Sequence, residues 1–137
     1  MPPEGWFSGS PTDWLRYAHS DLELARVGRS PNVLLEELCF HAHQAAEKAI
    51  KAVLVAKGIS FTKTHNIRIL LDLLPRDLIL PPEGEDAVSL TDYAVTCRYP
   101  ADVEPVDEQE YQEAMRLAAA VVQWAEKVIQ NRSESFH

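Results

Sequence analysis

The sequence predicts an all-α protein, an up-and-down antiparallel bundle of four main helices plus a short additional helix. Apolar residues recur every three to four positions over long segments, which is the helical spacing, and the alternation typical of strands is nowhere sustained. The amphipathic segments are joined by short connections, as they are in antiparallel helical bundles. We therefore expect the hydrophobic core to lie between helices.

The first two helices have the same start signal. Ser10 stands before Pro11 and Asp13, which places a capping serine, a proline at the first helical position and an acid at the third. Ser30-Pro31 predicts the start of the second helix by the same chemistry. Behind Ser10, apolar residues follow at helical spacing: Leu15, Ala18, Leu22 and Ala25.

The remaining helices are shorter or follow later caps. The second helix is expected to end near Gly58, a natural stop, and Thr64 to cap a short third helix. A fourth helix is predicted from about Glu85 to Arg98. Asp107, with an acid three residues later, forms a capping-box pattern for the last helix.

Length and charge restrict the class of protein. A chain of 137 residues suits one domain, which the helical pattern places at 12–130, between an N-terminal extension (1–11) and a flexible C-terminal tail (131–137). The net charge of −8 disfavours tight nonspecific nucleic-acid binding, so no DNA partner is expected. A local basic stripe can nevertheless bind RNA or a nucleotide.

The sequence shows no sign of export, membrane insertion or metal chemistry. Its first residues lack a basic start and an apolar run, and no stretch suits a membrane span, so we expect a cytoplasmic protein with no membrane association. Cys39 and Cys97 are predicted to be reduced core residues. His41 and His43 point in different directions on a helix, and no cofactor motif occurs, so neither a metal nor a cofactor is expected.

A polar stripe runs along the predicted second helix. On a helical wheel, apolar residues fill roughly half the circumference, and the other arc carries His41, Gln44, Lys48 and Lys51, with Glu47 alongside. Such a stripe could bind a phosphate or a base. The alternative is a solvated face with a Glu47–Lys51 pair worth a few tenths of a kcal/mol, and the residues alone favour that alternative.

Asp21 is an unusual residue of the first helix, because it falls inside an otherwise apolar sector. An unpaired buried carboxylate is costly, so Asp21 needs a cation or hydrogen-bond donors. Candidate partners are Arg98, Lys48 and Tyr99. A structural role is favoured over a catalytic one.

The pair Arg98-Tyr99 stands where the fourth predicted helix stops. A cation is favoured in a last helical turn, and a residue before proline, as Tyr99 is, adopts extended backbone. Helix-end chemistry therefore explains the stop, but it does not explain the choice of arginine and tyrosine.

Four segments together resemble the HEPN (higher eukaryotes and prokaryotes nucleotide-binding) domain family: "DLELA" (21–25), "FHAHQAAEKAIKAVLVAKGI" (40–59), "KTHNIRILLDLL" (63–74) and "DYAVTCRYPAD" (92–102). The resemblance implies a commonly dimeric helical bundle. Prokaryotic members are often encoded beside a minimal nucleotidyltransferase and act as toxin–antitoxin pairs, and the chain resembles this branch, which carries the Arg-Tyr-Pro sequence.

Other family members are metal-independent ribonucleases with a signature of arginine, four to six residues, then histidine. Here the corresponding positions after Arg98 are Val103, Glu104 and Pro105, so the histidine is missing. Arg132 and His137 match the spacing but lie in the predicted tail, and we interpret that match as coincidence.

The leading hypothesis is a homodimeric module that binds a nucleotide or RNA and pairs with a nucleotidyltransferase partner in a toxin–antitoxin-like system. The expected ligand-binding residues are Arg98, Tyr99, Lys48, Lys51, Gln44, His41 and Asp21. In this hypothesis Asp21 orients Arg98. The alternatives are a metal-independent endoribonuclease with an atypical motif, for which Arg98 is the best catalytic candidate, and a purely structural dimerisation module.

Overall fold

The computed structural model describes residues 9–95 and 105–134, and within them it is helical with no strand. Its elements are α1 (Pro11–Val27), α2 (Leu35–Ala56), α3 (Ile67–Asp72), α4 (Pro82–Asp86), a 3₁₀ segment (Ala87–Thr91), α5 (Asp92–Val95) and α6 (Glu108–Glu134). α4, the 3₁₀ segment and α5 follow one another without a gap and form the fourth main helix, and α3 is the short one. The predicted fold class is confirmed.

The capping prediction for α1 is confirmed, and at α6 one of the two hydrogen bonds of the predicted capping box is observed. The Ser10 hydroxyl accepts a hydrogen bond from the Asp13 backbone N–H at 3.1 Å, and the Asp13 carboxylate accepts one from the Ser10 N–H at 3.1 Å. At α6, the Asp107 carboxylate accepts from the Glu110 N–H at 2.8 Å. Both patterns satisfy backbone N–H groups that have no partner inside the helix.

The predicted start of α2 is wrong by several residues. The helix begins at Leu35, because Ser30 is used in a turn instead: its carbonyl accepts from the Val33 N–H at 3.0 Å, and its hydroxyl accepts from the Asn32 N–H at 3.3 Å. Serine hydroxyls stabilise such turns as readily as helix starts. The predicted end is close, since α2 stops at Ala56.

The cap of α3 differs from the prediction as well. Asn66 is the capping residue, and its side-chain oxygen accepts from the Arg68 N–H at 2.9 Å. The Thr64 hydroxyl lies before the helix and accepts a hydrogen bond from the backbone N–H of Asn66 at 3.1 Å. Gly58 has a φ of 71°, a left-handed conformation that suits glycine and turns the chain away from α2.

α2 is the central element, because it packs against α1, α6 and the short helices. Small side chains on α2 let these neighbours approach closely, and five of them are fully buried: Ala42, Ala45, Ala46, Ala49 and Ala52. α6 is tied to the end of α1 by the Tyr111 hydroxyl, which donates to the Ala25 carbonyl at 2.7 Å. That carbonyl belongs to the last turn of α1, where carbonyls lack helical partners.

Some predicted features lie in parts of the chain that the structure does not describe. Cys39 is a buried, reduced thiol, as predicted, whereas Cys97 lies outside the described residues. α6 continues to Glu134, past the expected domain limit at residue 130, and the domain limits stay predictions. Over 9–95 and 105–134, none of the helices has both the length and the apolar character that crossing a membrane requires.

Candidate functional site

The polar stripe of α2 faces α1, and Asp21 is its first point of contact. Lys48 Nζ donates to Asp21 Oδ2 at 2.6 Å, and His41 Nδ1 lies 3.2 Å from Asp21 Oδ1. The Asp21 side chain is only 14% exposed, so the two contacts compensate a carboxylate that is largely removed from water. Lys48 was among the partners predicted for Asp21, and His41 is an additional one.

Glu47 forms a second and deeper cluster. Its Oε2 accepts from Lys51 Nζ at 2.8 Å and its Oε1 accepts from His65 Nδ1 at 2.9 Å. The Glu47 and Lys51 side chains are 4% and 5% exposed. The sequence-based preference for a solvated face is therefore wrong for this pair, which lies in the protein interior.

Aromatic rings surround the buried Lys51 ammonium. Its Nζ lies 5.8 Å from the centroid of the Trp14 ring and 5.6 Å from that of Phe61. The two rings themselves meet edge to face, with centroids 6.1 Å apart. Electron-rich ring faces attract cations, so the rings and Glu47 together make the buried charge tolerable.

His43 connects this cluster to the loop before α3. Its Nε2–H donates to the His65 backbone carbonyl at 2.9 Å. The His43 side chain is completely buried, and this burial lowers the pKa of His43 by disfavouring the charged form of the ring. Two contacts therefore hold His65 in place. His43 binds its backbone carbonyl, and Glu47 binds its ring.

A groove of about 660 Å³ lies between the first turns of α1 and the middle of α2, next to this cluster. Its walls combine cations, acids and aromatic rings. The lining residues are Gly9, Asp13, Trp14, Arg16, Tyr17, Gln44, Glu47, Lys48, Lys51 and His65.

Arg16, Lys48 and Tyr17 line the groove and are at least partly exposed to a ligand. Arg16 pairs with no carboxylate among the described residues, and its Cζ lies 5.7 Å from the centroid of the Tyr17 ring. Lys48 Nζ is 5.9 Å from the same centroid, and Tyr17 is 55% exposed. The Gln44 Oε1 atom is buried and has no hydrogen-bond partner in the described part of the chain. A buried polar atom in this state needs a donor.

His65 gives the groove a group that can transfer a proton. Because Nδ1–H donates to Glu47, the neutral ring presents its Nε2 lone pair, and the side chain is 66% exposed. A carboxylate that fixes the tautomer of a histidine in this way is the arrangement of a general base.

A second cavity, of about 530 Å³, lies between the fourth main helix and the start of α6. Its walls include four acids: Asp92, Asp107, Glu110 and Glu113. The Tyr93 hydroxyl donates to Glu110, and burial, together with that carboxylate, raises the pKa of Tyr93 above its ordinary value. This acidic cavity repels phosphate, so the groove between α1 and α2 is the better candidate for an anionic ligand.

The predicted site residues are thus divided by the structure. Five lie together along the α1–α2 contact: Asp21, His41, Gln44, Lys48 and Lys51. Arg98 and Tyr99 lie outside the described residues. Their ligand-binding roles stay predictions.

Three groove residues that carry the arguments below, Arg16, Tyr17 and His65, were not among the predicted ligand-binding residues. The signal for Arg16 was its place directly before Tyr17 in the helix that carries Asp21. His65 offered no such signal, because its contact with Glu47 joins residues 18 positions apart.

The fold and the groove define a small helical-bundle domain whose first two helices present cations and an exposed aromatic ring. Residues 12–128 match the family model of the HEPN domain. The chain belongs to the HEPN family, which is generally nucleotide- or RNA-related.

Two solved structures are similar over nearly their whole length. One is TT1696 from Thermus thermophilus, with a TM-score of 0.75 and 31% identity, over 86% of this chain and 97% of that one. The other is ST0689, an archaeal HEPN homologue, with a TM-score of 0.70 and 29% identity, over 88% of this chain and 98% of that one. No curated protein matches the chain.

Proposed function

We propose that the protein binds a nucleotide or RNA in the groove between α1 and α2. The observation that carries the proposal is the meeting of two cations and an exposed aromatic ring in one groove. Arginine and lysine bind phosphate, and an exposed ring offers a stacking surface to a base. Membership of the HEPN family supports the same ligand class.

Within this proposal, Asp21 has a positioning role. Its contact with Lys48 at 2.6 Å holds the ammonium beside Tyr17. We further propose that the protein acts as a homodimer and pairs with a minimal nucleotidyltransferase in a toxin–antitoxin-like system. The support for that part is the family resemblance, including Arg98 and Tyr99 before a proline.

Replacing Lys48 by methionine is expected to weaken nucleotide binding at least tenfold, because the side chain stays unbranched and nearly as long but loses its charge. Isothermal titration with nucleotides measures the effect. Lys127→Met is the matched control, since Lys127 is exposed on α6, and it should bind like the wild type. Absence of binding to the wild type, or equal binding by the wild type and Lys48→Met, would contradict the proposal.

A second candidate function is metal-independent ribonuclease activity, and the Glu47–His65 contact favours it. In that reaction His65 Nε2 would accept the proton of an RNA 2′-OH as the oxygen attacks the neighbouring phosphorus. The P–O5′ bond would break, leaving a 2′,3′-cyclic phosphate and a 5′-oxygen that takes up a proton from water or from the protonated His65. Lys48 and Arg16 would stabilise the charge of the phosphate. The missing histidine after Arg98 would then be replaced by one from another part of the chain.

RNA incubated with the protein in EDTA separates the two candidates. We expect the RNA to remain intact, because the histidine of the ribonuclease signature is missing after Arg98. Cleavage by the wild type that falls at least a hundredfold in His65→Gln but persists in His19→Gln would establish the second candidate instead. His19 is a suitable control because it lies in an exposed pair with Glu126.

A further inference from the structure

We propose that the chain between α2 and α3 is a strap that is closed at neutral pH and is released when His43 takes up a proton. The strap, residues 58–66, leads from the end of α2 to the start of α3. It places Phe61 and His65 over the buried ion pair of α2. This movement does not depend on which ligand the groove binds.

The strap is attached to α2 at few points. In the described part of the chain, residues 60–65 form hydrogen bonds to α2 only at His65. Its backbone carbonyl accepts from His43 Nε2–H at 2.9 Å, and its ring donates to Glu47 at 2.9 Å. Phe61 adds only ring contacts. A segment with so few attachments can open while the helices on either side stay folded.

His43 is the group that couples the strap to pH. Its side chain is completely buried, and the His65 carbonyl on its Nε2–H shows that the strap lies directly on the ring. The Nδ1 atom of His43 has no hydrogen-bond partner among the described residues. Protonation would add a second N–H at Nδ1 and a positive charge away from water, which is costly. Opening of the strap removes that cost by giving the ring access to water.

The charges around His43 do not compensate for its burial. The Glu47 carboxylate, 3.7 Å from His43 Nε2, favours a positive ring, and so does the hydrogen bond to the strap. Lys51 on the same helix and the ring of His65 on the strap oppose it. Burial has the largest effect, so the pKa of His43 lies below its ordinary value of 6.5.

The direction of the pH effect follows from this lowered pKa. In the open strap, His43 meets water and takes its ordinary pKa of 6.5. Well above that pH neither form binds the proton, and closure has its full strength. As the pH falls below 6.5, the open form binds the proton first, so closure weakens until the closed form is protonated as well. Mild acid therefore favours the open strap.

Opening of the strap changes the surroundings of two buried charges. The Lys51 ammonium would lose the ring of Phe61, and the Glu47 carboxylate would lose the ring of His65. The ion pair, almost completely buried in the closed form, would then meet water. His65 also lines the groove between α1 and α2, so the shape of that groove would depend on pH.

Amide hydrogen exchange of the intact protein, followed by NMR and corrected for the intrinsic effect of pH, tests the proposal. The reporters are the N–H groups of Asn66 and Ile67 at the end of the strap, both of which donate to threonine hydroxyls. We expect them to exchange at least tenfold faster than Ala118, which is fully buried in α6. Their protection factors should fall about five- to tenfold between pH 7.5 and pH 5.5. The ring of His43 should titrate below 6.5 in the same samples.

Three variants assign the effect to one histidine. His43→Gln keeps a donor for the strap carbonyl but does not titrate, so the fall in protection should shrink to less than twofold. His41→Gln is the matched control on the same helix, and it should retain the fall. His65→Gln removes the histidine of the strap itself and should retain it too. Circular dichroism shows whether each variant is folded.

Four results would overturn the inference. Protection of Asn66 and Ile67 that does not change with pH, or that changes equally in the wild type and in His43→Gln, would exclude His43 as the cause. A fall that disappears in His65→Gln instead would assign the effect to the strap's own ring. Strap amides that exchange no faster than Ala118 would mean that no separate opening exists. If His43→Gln does not fold, the wild-type ring decides, since a measured pKa at or above 6.5 would remove the reason for opening.

Discussion

Replacing Glu47 by leucine is expected to lower the free energy of unfolding by about 3–5 kcal/mol, the range found when one partner of a buried ion pair is removed. The Lys51 ammonium, whose side chain is 5% exposed, would lose its carboxylate. His65 Nδ1 would lose its acceptor at the same time. Urea denaturation followed by circular dichroism measures the change.

Two further variants show whether burial causes this loss. Glu113→Leu removes a carboxylate from an exposed pair with Arg116, and it should leave the stability essentially unchanged. The double variant Glu47→Leu, Lys51→Met should recover much of the loss, because it removes the uncompensated charge together with its partner. A Glu47→Leu protein as stable as Glu113→Leu would contradict the buried position of the pair.

Helix starts show what local sequence can predict. Ser10 and Asp107 cap their helices as expected, because the groups involved lie within three residues of one another. Ser30 carries the same signal but stabilises a turn. Local chemistry allows both outcomes, and the packing of α2 against its neighbours decides between them, which the sequence pattern alone does not describe.

The candidate site shows a second limit of sequence analysis. A helical wheel placed Lys51 and Glu47 on the polar arc of α2, which is correct as an angle around the helix axis. It did not show that the chain after α2 returns to place Phe61 and His65 against that arc. Burial of the pair results from these nonlocal contacts.

The sequence did indicate that Asp21 would need a partner. A carboxylate in an apolar sector requires a partner, and Lys48 was one of the three candidates that this requirement suggested, with Arg98 and Tyr99. The contact with Lys48 joins α1 to α2 at 2.6 Å. Burial of an ionic group is therefore predictable when it breaks an apolar pattern, as with Asp21, and is missed when it continues a polar one, as with Glu47.

The second large effect on stability is expected on the apolar side of α2. Replacing Ile50 by alanine is expected to lower the free energy of unfolding by about 2–5 kcal/mol, because it removes a fully buried side chain and leaves a cavity. The alanines beside Ile50 have no alternative rotamers with which to fill that space. Urea denaturation measures the loss.

Ile79 provides a control with the same substitution. Its side chain is 85% exposed, although it lies in a strongly apolar stretch of sequence. The backbone carbonyl of Ile79 accepts a hydrogen bond from Trp124 Nε1–H at 2.9 Å. This hydrogen bond does not involve the side chain and is retained in the variant. Ile79→Ala should therefore change the stability by less than about 0.5 kcal/mol. Equal losses at both positions would mean that α2 is not the central helix of the core.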